Sequence, residues 1–132
     1  MHDAVLRRVE AMRGAFPDAM VEGYQSLAPA MTCDAKDRHV LAAAVRSNAA
    51  LLVTFNLSDF PQESTEPYRT EVVHPDVFLM GQLDLSPRET VSAVEQILVD
   101  YKNPPVDVSG YLFRLSKSGL PGFAEALGRH LD

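Results

Sequence analysis

Two short stretches of this sequence gather oxygen ligands at spacings that suit chemistry. The first is Asp34-Ala35-Lys36-Asp37-Arg38-His39, at the head of an alanine-rich segment. The second is Asn56-Leu57-Ser58-Asp59, directly after the apolar run Leu51-Leu52-Val53-Thr54-Phe55. A few carboxylates suit a hard divalent cation such as Mg²⁺ or Mn²⁺, which takes oxygen ligands and keeps several waters; zinc would call for cysteine and histidine instead. Each residue also has a plainer reading. Asp34 is placed to cap a helix and Asp37 to complement its dipole, a contribution of about 1 kcal/mol. Asn56 and Asp59 are ordinary turn residues by type. His39 reads as a helix-surface or packing residue, and His74, ahead of a proline, as a turn residue. Cys33 is the only cysteine and lacks a conspicuous histidine partner that would mark a nucleophile. Lys36 and Arg38 either meet a phosphate at the rim or stay solvated, and Thr54 either ends its strand or hydrogen-bonds a phosphate or a ligand aspartate.

The elements that would position these groups follow from hydrophobic period and punctuation. Val5, Val9, Met12 and Phe16 recur at helical spacing among Arg7, Arg8, Glu10 and Arg13, which predicts an amphipathic helix over 3–15 ended by Phe16-Pro17-Asp18. Residues 19–33, broken by Gly23 and Pro29, read as loop with one short helical turn. From Asp34, the apolar face Val40, Leu41, Ala44, Val45 predicts a helix to about Ser47, stopping near Asn48. Residues 51–55 predict a parallel strand buried on both faces, 56–65 a polar loop, and 71–73 a second strand. Pro75 suits a first helical position, and Ser86-Pro87-Arg88-Glu89 has the form of a capping box opening a helix with Val91, Val94, Ile97, Leu98 and Tyr101 on one face. Pro104-Pro105 stops it, and helices over 108–117 and 122–131 follow, separated by Gly119-Leu120-Pro121.

The pattern of an aspartate starting an alanine-rich helix, then a strand ending Val53-Thr54, then Asn56 and Asp59-Phe60, closely resembles the PIN-domain family, in its VapC-like toxin ribonuclease subgroup. Ala15-Phe16-Pro17-Asp18-Ala19, Gly23-Tyr24, Val73-His74-Pro75-Asp76 and Gly119-Leu120-Pro121 extend the likeness over most of the chain. The resemblance implies an α/β, three-layer fold with a short parallel sheet and a helical tail from 85 to 132, all one domain. It also implies a metal-dependent endoribonuclease of toxin-antitoxin type. Its metal, Mg²⁺ or Mn²⁺, would be held by Asp37 and by Asp59 or Asn56, with Asp34 capping or assisting. RNA is then the expected substrate and an antitoxin protein the expected partner. Ligands of open α/β sheets lie beyond the carboxyl ends of the strands, where Asn56 and Asp59 fall.

Members of that family usually open with a strand carrying a metal aspartate and a helix carrying a glutamate. This sequence opens in the helix before Phe16, so the fold is expected to be incomplete at the N-terminus and the activity impaired; Glu10 and Glu22 lie outside the matching motif. The 51–55 strand, having no charge, proline or bulge to blunt pairing, is expected to be covered by an identical copy or a complementing chain. The rival expectation is a non-catalytic PIN-like remnant that binds protein or itself.

Bulk properties fit either. The 132 residues, 46% hydrophobic and 23% charged, suit a globular domain that buries a core without staples. A net charge of −6, from 12 basic and 18 acidic side chains, argues against a general nucleic-acid coat, although a nuclease needs only a local basic rim. No signal sequence and no membrane-length apolar run appear, so cytoplasm is the expected compartment.

Overall fold

The computed structural model describes residues 2–102 and 104–131. These fall into two compact units, one of residues up to Leu52 with Ser58–Val72, the other of Val53–Leu57 with the residues from Val73 on. The fold is α/β and mostly helical, with a single two-stranded sheet among the described residues.

In the first unit, helix α1 (His2–Ala15) leads through short 3-10 turns at Pro17–Ala19, Gln25–Ala30 and Ala35–Asp37 into helix α2 (Arg38–Arg46). The expected long helix from Asp34 therefore begins with a separate 3-10 turn, whose entry is fixed by the Asp34 side chain accepting the Lys36 amide N–H at 3.1 Å. Leu41 and Ala42, with no exposed surface, face Met31, Cys33 and Phe60, and this cluster is the unit's core. The helix ends at Arg46, shortly before Asn48, whose φ of 56° lets the Ala49 N–H reach back to the Ala44 carbonyl at 2.9 Å. Strand β1 (Leu51–Val53) follows, then helix α3 (Gln62–Thr65) and strand β2 (Glu71–Val73). The Glu71 N–H donates to the Ala50 carbonyl at 2.9 Å and the Thr54 N–H to the Val73 carbonyl at 3.0 Å, so both strands advance together and the pairing is parallel.

Two expectations for this region need correction. Strand β1 ends at Val53 and is not buried on both faces: Leu51 and Val53, which point to the same face, are each 40% exposed. The 56–65 segment is not plain loop but holds a 3-10 turn at Leu57–Asp59 as well as α3. Helix α1 buries none of its residues, so the stripe Val5, Val9 and Met12 is exposed along its length, as is Phe16 after it. The 19–33 stretch does contain no strand, as its glycine and proline indicate.

The second unit is a helical assembly of α4 (Pro75–Leu85), α5 (Pro87–Asp100), α6 (Val108–Lys117) and α7 (Pro121–Leu131). Helix α7 packs on the other three, with Phe123 and Leu127 meeting Leu83 and Val94 in a core. Ser86 does not act as the capping-box serine: its φ and ψ of −137° and 67° are away from the usual cap geometry, and its side chain makes no cap bond. One residue joins two helices there, so the Ser86 backbone is used twice, donating to Gln82 and accepting from Thr90. Between α6 and α7, Gly119 takes a φ of 91°, allowing the Leu120 N–H to bond the Leu115 carbonyl at 3.0 Å, and a Cβ there would sit 3.0 Å from the Phe55 ring. His74 caps α4 by accepting the Asp76 N–H on Nδ1 at 3.0 Å. Asp76 in turn accepts the Gly122 and Phe123 N–H groups at 2.9 and 2.7 Å, tying the start of α4 to the start of α7. Replacing Asp76 by alanine strands those two donors and is expected to lower unfolding free energy by about 1–3 kcal/mol. Urea denaturation followed by circular dichroism measures it, and an unchanged midpoint would remove Asp76 from this role.

Candidate metal centre

Asp34, Asp37 and Asp59 all lie in the first unit, while Asn56 belongs to the second. Core packing fixes both acidic stretches of the first unit. Cys33 and Leu41 anchor either side of the Asp34–Asp37 turn, and buried Phe60 holds the residue next to Asp59. Lys36 Nζ lies 4.0 Å from Asp59 Oδ2, so the turn bearing Asp59 faces the start of α2.

The three aspartates differ in what surrounds them. Asp34 is exposed and engaged as a cap on the Lys36 N–H. Asp37 stands at the N-cap position of α2 yet makes no cap bond, and its Oδ2 is buried without a hydrogen-bond partner among the described residues. The plain capping account thus holds for Asp34 and fails for Asp37. A buried acceptor left without a donor costs about 1–3 kcal/mol, which a fold tolerates where something else is to be bound. The Asp59 side chain is 28% exposed, with Lys36, itself 68% exposed, as its only ion-pair partner among the described residues. In the second unit, Asn56 is exposed, its N–H donating to Thr54 Oγ1 at 3.1 Å, and the neighbouring Phe55 ring stands edge-on to His74 at 5.2 Å.

Two carboxylates, one carrying an unsatisfied oxygen and the other only loosely paired, are hard oxygen donors and fit a divalent cation that keeps most of its waters. Among the described residues no group of three or more His, Cys, Asp and Glu comes together as a metal site. Arg38 does not reach either acid: its Nε donates to the Cys33 carbonyl at 3.0 Å, locking the helix start. By sequence, Lys36 and Arg38 share one pair of alternatives, a phosphate at the rim or solvent. Their separate roles depend on contacts no spacing reveals.

The class these features define is an α/β chain with a small parallel sheet and a helix whose N-cap aspartate carries a buried oxygen with no partner among the described residues. Comparison with known proteins narrows it. Residues 75–129 match the family described as the VapC50 C-terminal domain, a stretch lying wholly within the second unit. The chain is 42% identical over 106 residues to the "Putative ribonuclease VapC50" of Mycobacterium tuberculosis, covering 80% of this chain and 62% of that protein. It therefore spans less than two thirds of that relative's length. No solved structure matches it.

Cys33 reports on the site. Burial pushes its thiol pKa up; a backbone hydrogen bond opposes this, the Asp37 charge adds to the rise, Arg38 opposes it and Asp34 adds. A thiol whose pKa is higher folded than unfolded stabilises the fold below its unfolded value and loses that contribution as pH climbs through the folded one. Cys33 is accordingly expected to resist iodoacetamide at neutral pH, and Asp37→Asn to move the pH midpoint of alkylation downward. An unmoved midpoint would mean the Asp37 charge does not reach the sulfur.

Proposed function

We propose that this chain acts in a metal-dependent endoribonuclease of toxin-antitoxin type with a PIN-like, three-layer fold, and that Asp37 and Asp59 are its share of the ligands for Mg²⁺ or Mn²⁺. The observation that carries this reading is the buried, partnerless Asp37 Oδ2 at the start of α2. The 42% identity to a ribonuclease-named relative supports the same activity. When bound, the cation would supply a Lewis acid and an activated water for hydrolysis of an RNA phosphodiester.

The chain's own residues do the rest. Asp37 offers an oxygen for which no protein donor competes, and Asp59 offers a second from a turn held by Phe60. Arg38, tied to the Cys33 carbonyl, keeps the Asp37 backbone in place. Lys36 stands exposed at the rim, where a backbone phosphate would arrive. Asp34 assists by setting the turn that leads to Asp37. Two carboxylates are few for this chemistry, so further acids come from a second chain, either an identical copy or a complementing partner, and an antitoxin protein masks the site.

A second reading, that of a non-catalytic protein-binding module, is favoured by the exposed apolar stripe on α1. One experiment separates the two. Titrating Mn²⁺ into the ¹⁵N-labelled chain is expected to broaden the amides of residues 37 and 59 at low occupancy, and Asp37→Ala to abolish that pattern. RNA cleavage by the chain alone is expected to stay negligible. Broadening centred elsewhere, or untouched by Asp37→Ala, would leave the protein-binding module as the better account.

A further inference from the structure

We propose that Lys36 is a tethered counter-cation for Asp59 that a divalent ion must displace, so that this one side chain tunes the metal affinity of the site. The inference rests on the metal-binding reading above and concerns a residue that reading does not count among the ligands.

Two cations stand at the entrance to α2 and behave differently. Arg38 spends its Nε on the Cys33 carbonyl at 3.0 Å in a part-buried position. Lys36 has only the 4.0 Å approach of its ammonium to Asp59 Oδ2, and its side chain is 68% exposed. Its backbone is held, because the Lys36 N–H is bonded to Asp34 Oδ1 at 3.1 Å. A fixed Cα with a flexible four-carbon stem keeps the ammonium close to Asp59 without locking it there. The ammonium does not satisfy the neighbouring Asp37, whose Oδ2 stays partnerless. Without metal, therefore, one acid is neutralised by a mobile cation and the other is left open.

A single positive charge on an exposed stem is a weak competitor, and such pairs contribute little. A divalent ion carries twice the charge and bonds the carboxylate oxygen directly, so it wins once present, and Lys36 is released toward the rim. Lys36 thus modulates affinity and does not block the site.

The test is a Mn²⁺ titration of the full 132-residue chain, read by paramagnetic broadening of the Asp59 amide, in the wild type, Lys36→Met and Lys36→Arg. Lys36→Met is expected to reach half-broadening at roughly two- to fivefold lower Mn²⁺, the scale of an exposed ion pair. Lys36→Arg, which keeps the charge, is expected to stay close to wild type. Lys36 is exposed, so circular dichroism should confirm an unchanged fold. Equal midpoints, or a higher one for Lys36→Met, would overturn the role of Lys36 while leaving the metal reading intact. Absence of broadening at Asp59 in every variant would overturn both.

Discussion

The packing of α2 is the constraint on which the candidate site depends. Leu41 and Ala42 are fully shielded from solvent, and the surfaces that cover them, Met31, Cys33 and Phe60, come from the segments immediately preceding Asp34 and immediately following Asp59. Burying one helix face thus fixes both acidic stretches at once, at the ends of segments that have little regular structure of their own. Removing a large core side chain such as Leu41 or Phe60 would be expected to loosen the two carboxylates together. Burial of this kind is worth about 1.5–3 kcal/mol per large side chain, far more than the exposed Lys36–Asp59 contact. The core holds the acids in position; the ion pair only adjusts their charge.

The second unit is organised by a polar contact instead. Asp76 bonds two backbone N–H groups at the start of α7, where the helix leaves its first donors unpaired and its dipole favours negative charge. With His74 capping α4 and Gly119 turning α6 into α7, this accounts for the order of the four helices and for the cluster around Leu83, Phe123 and Leu127. The same stretch, 75–129, is what matches the VapC50 C-terminal domain. His74 also lies edge-on to Phe55, which places the turn carrying Asn56 under the control of this unit.

Much of this was legible in the sequence wherever a local rule decides. Helix α6 falls on the expected 108–117, α5 starts at Pro87, and α2 ends at Arg46, shortly before the left-handed Asn48, because proline and left-handed residues act on their own neighbours. What could not be read depends on distant contacts. The apolar run at 51–55 shows hydrophobicity but not how many neighbours the strand finds, and among the described residues it has one. Ser86-Pro87-Arg88-Glu89 carries the letters of a capping box, yet the tight junction of α4 and α5 denies Ser86 the geometry. At the site, spacing offered Asp34 and Asp37 the same plain role at a helix start, one as cap and the other complementing the dipole. Only the three-dimensional surroundings make one a cap and leave the other with a buried open oxygen. The bonds of Asp76 to the start of α7 had no local signal, since its partners lie more than forty residues away.

The proposed metal site requires that Asp37 Oδ2, the buried and partnerless oxygen of a half-buried side chain, be kept so for a cation and not for the fold. Thermal unfolding of Asp37→Asn with and without Mn²⁺ tests it most directly. A ligand that binds only the native state raises its stability, so wild type should melt higher as Mn²⁺ is added. If the account holds, the metal-free variant is no less stable than wild type, having lost an unsatisfied carboxylate, and Mn²⁺ no longer raises its melting temperature. A variant that is clearly destabilised without metal, and still stabilised by Mn²⁺ as much as wild type, would show that Asp37 serves the fold and that the cation sits elsewhere.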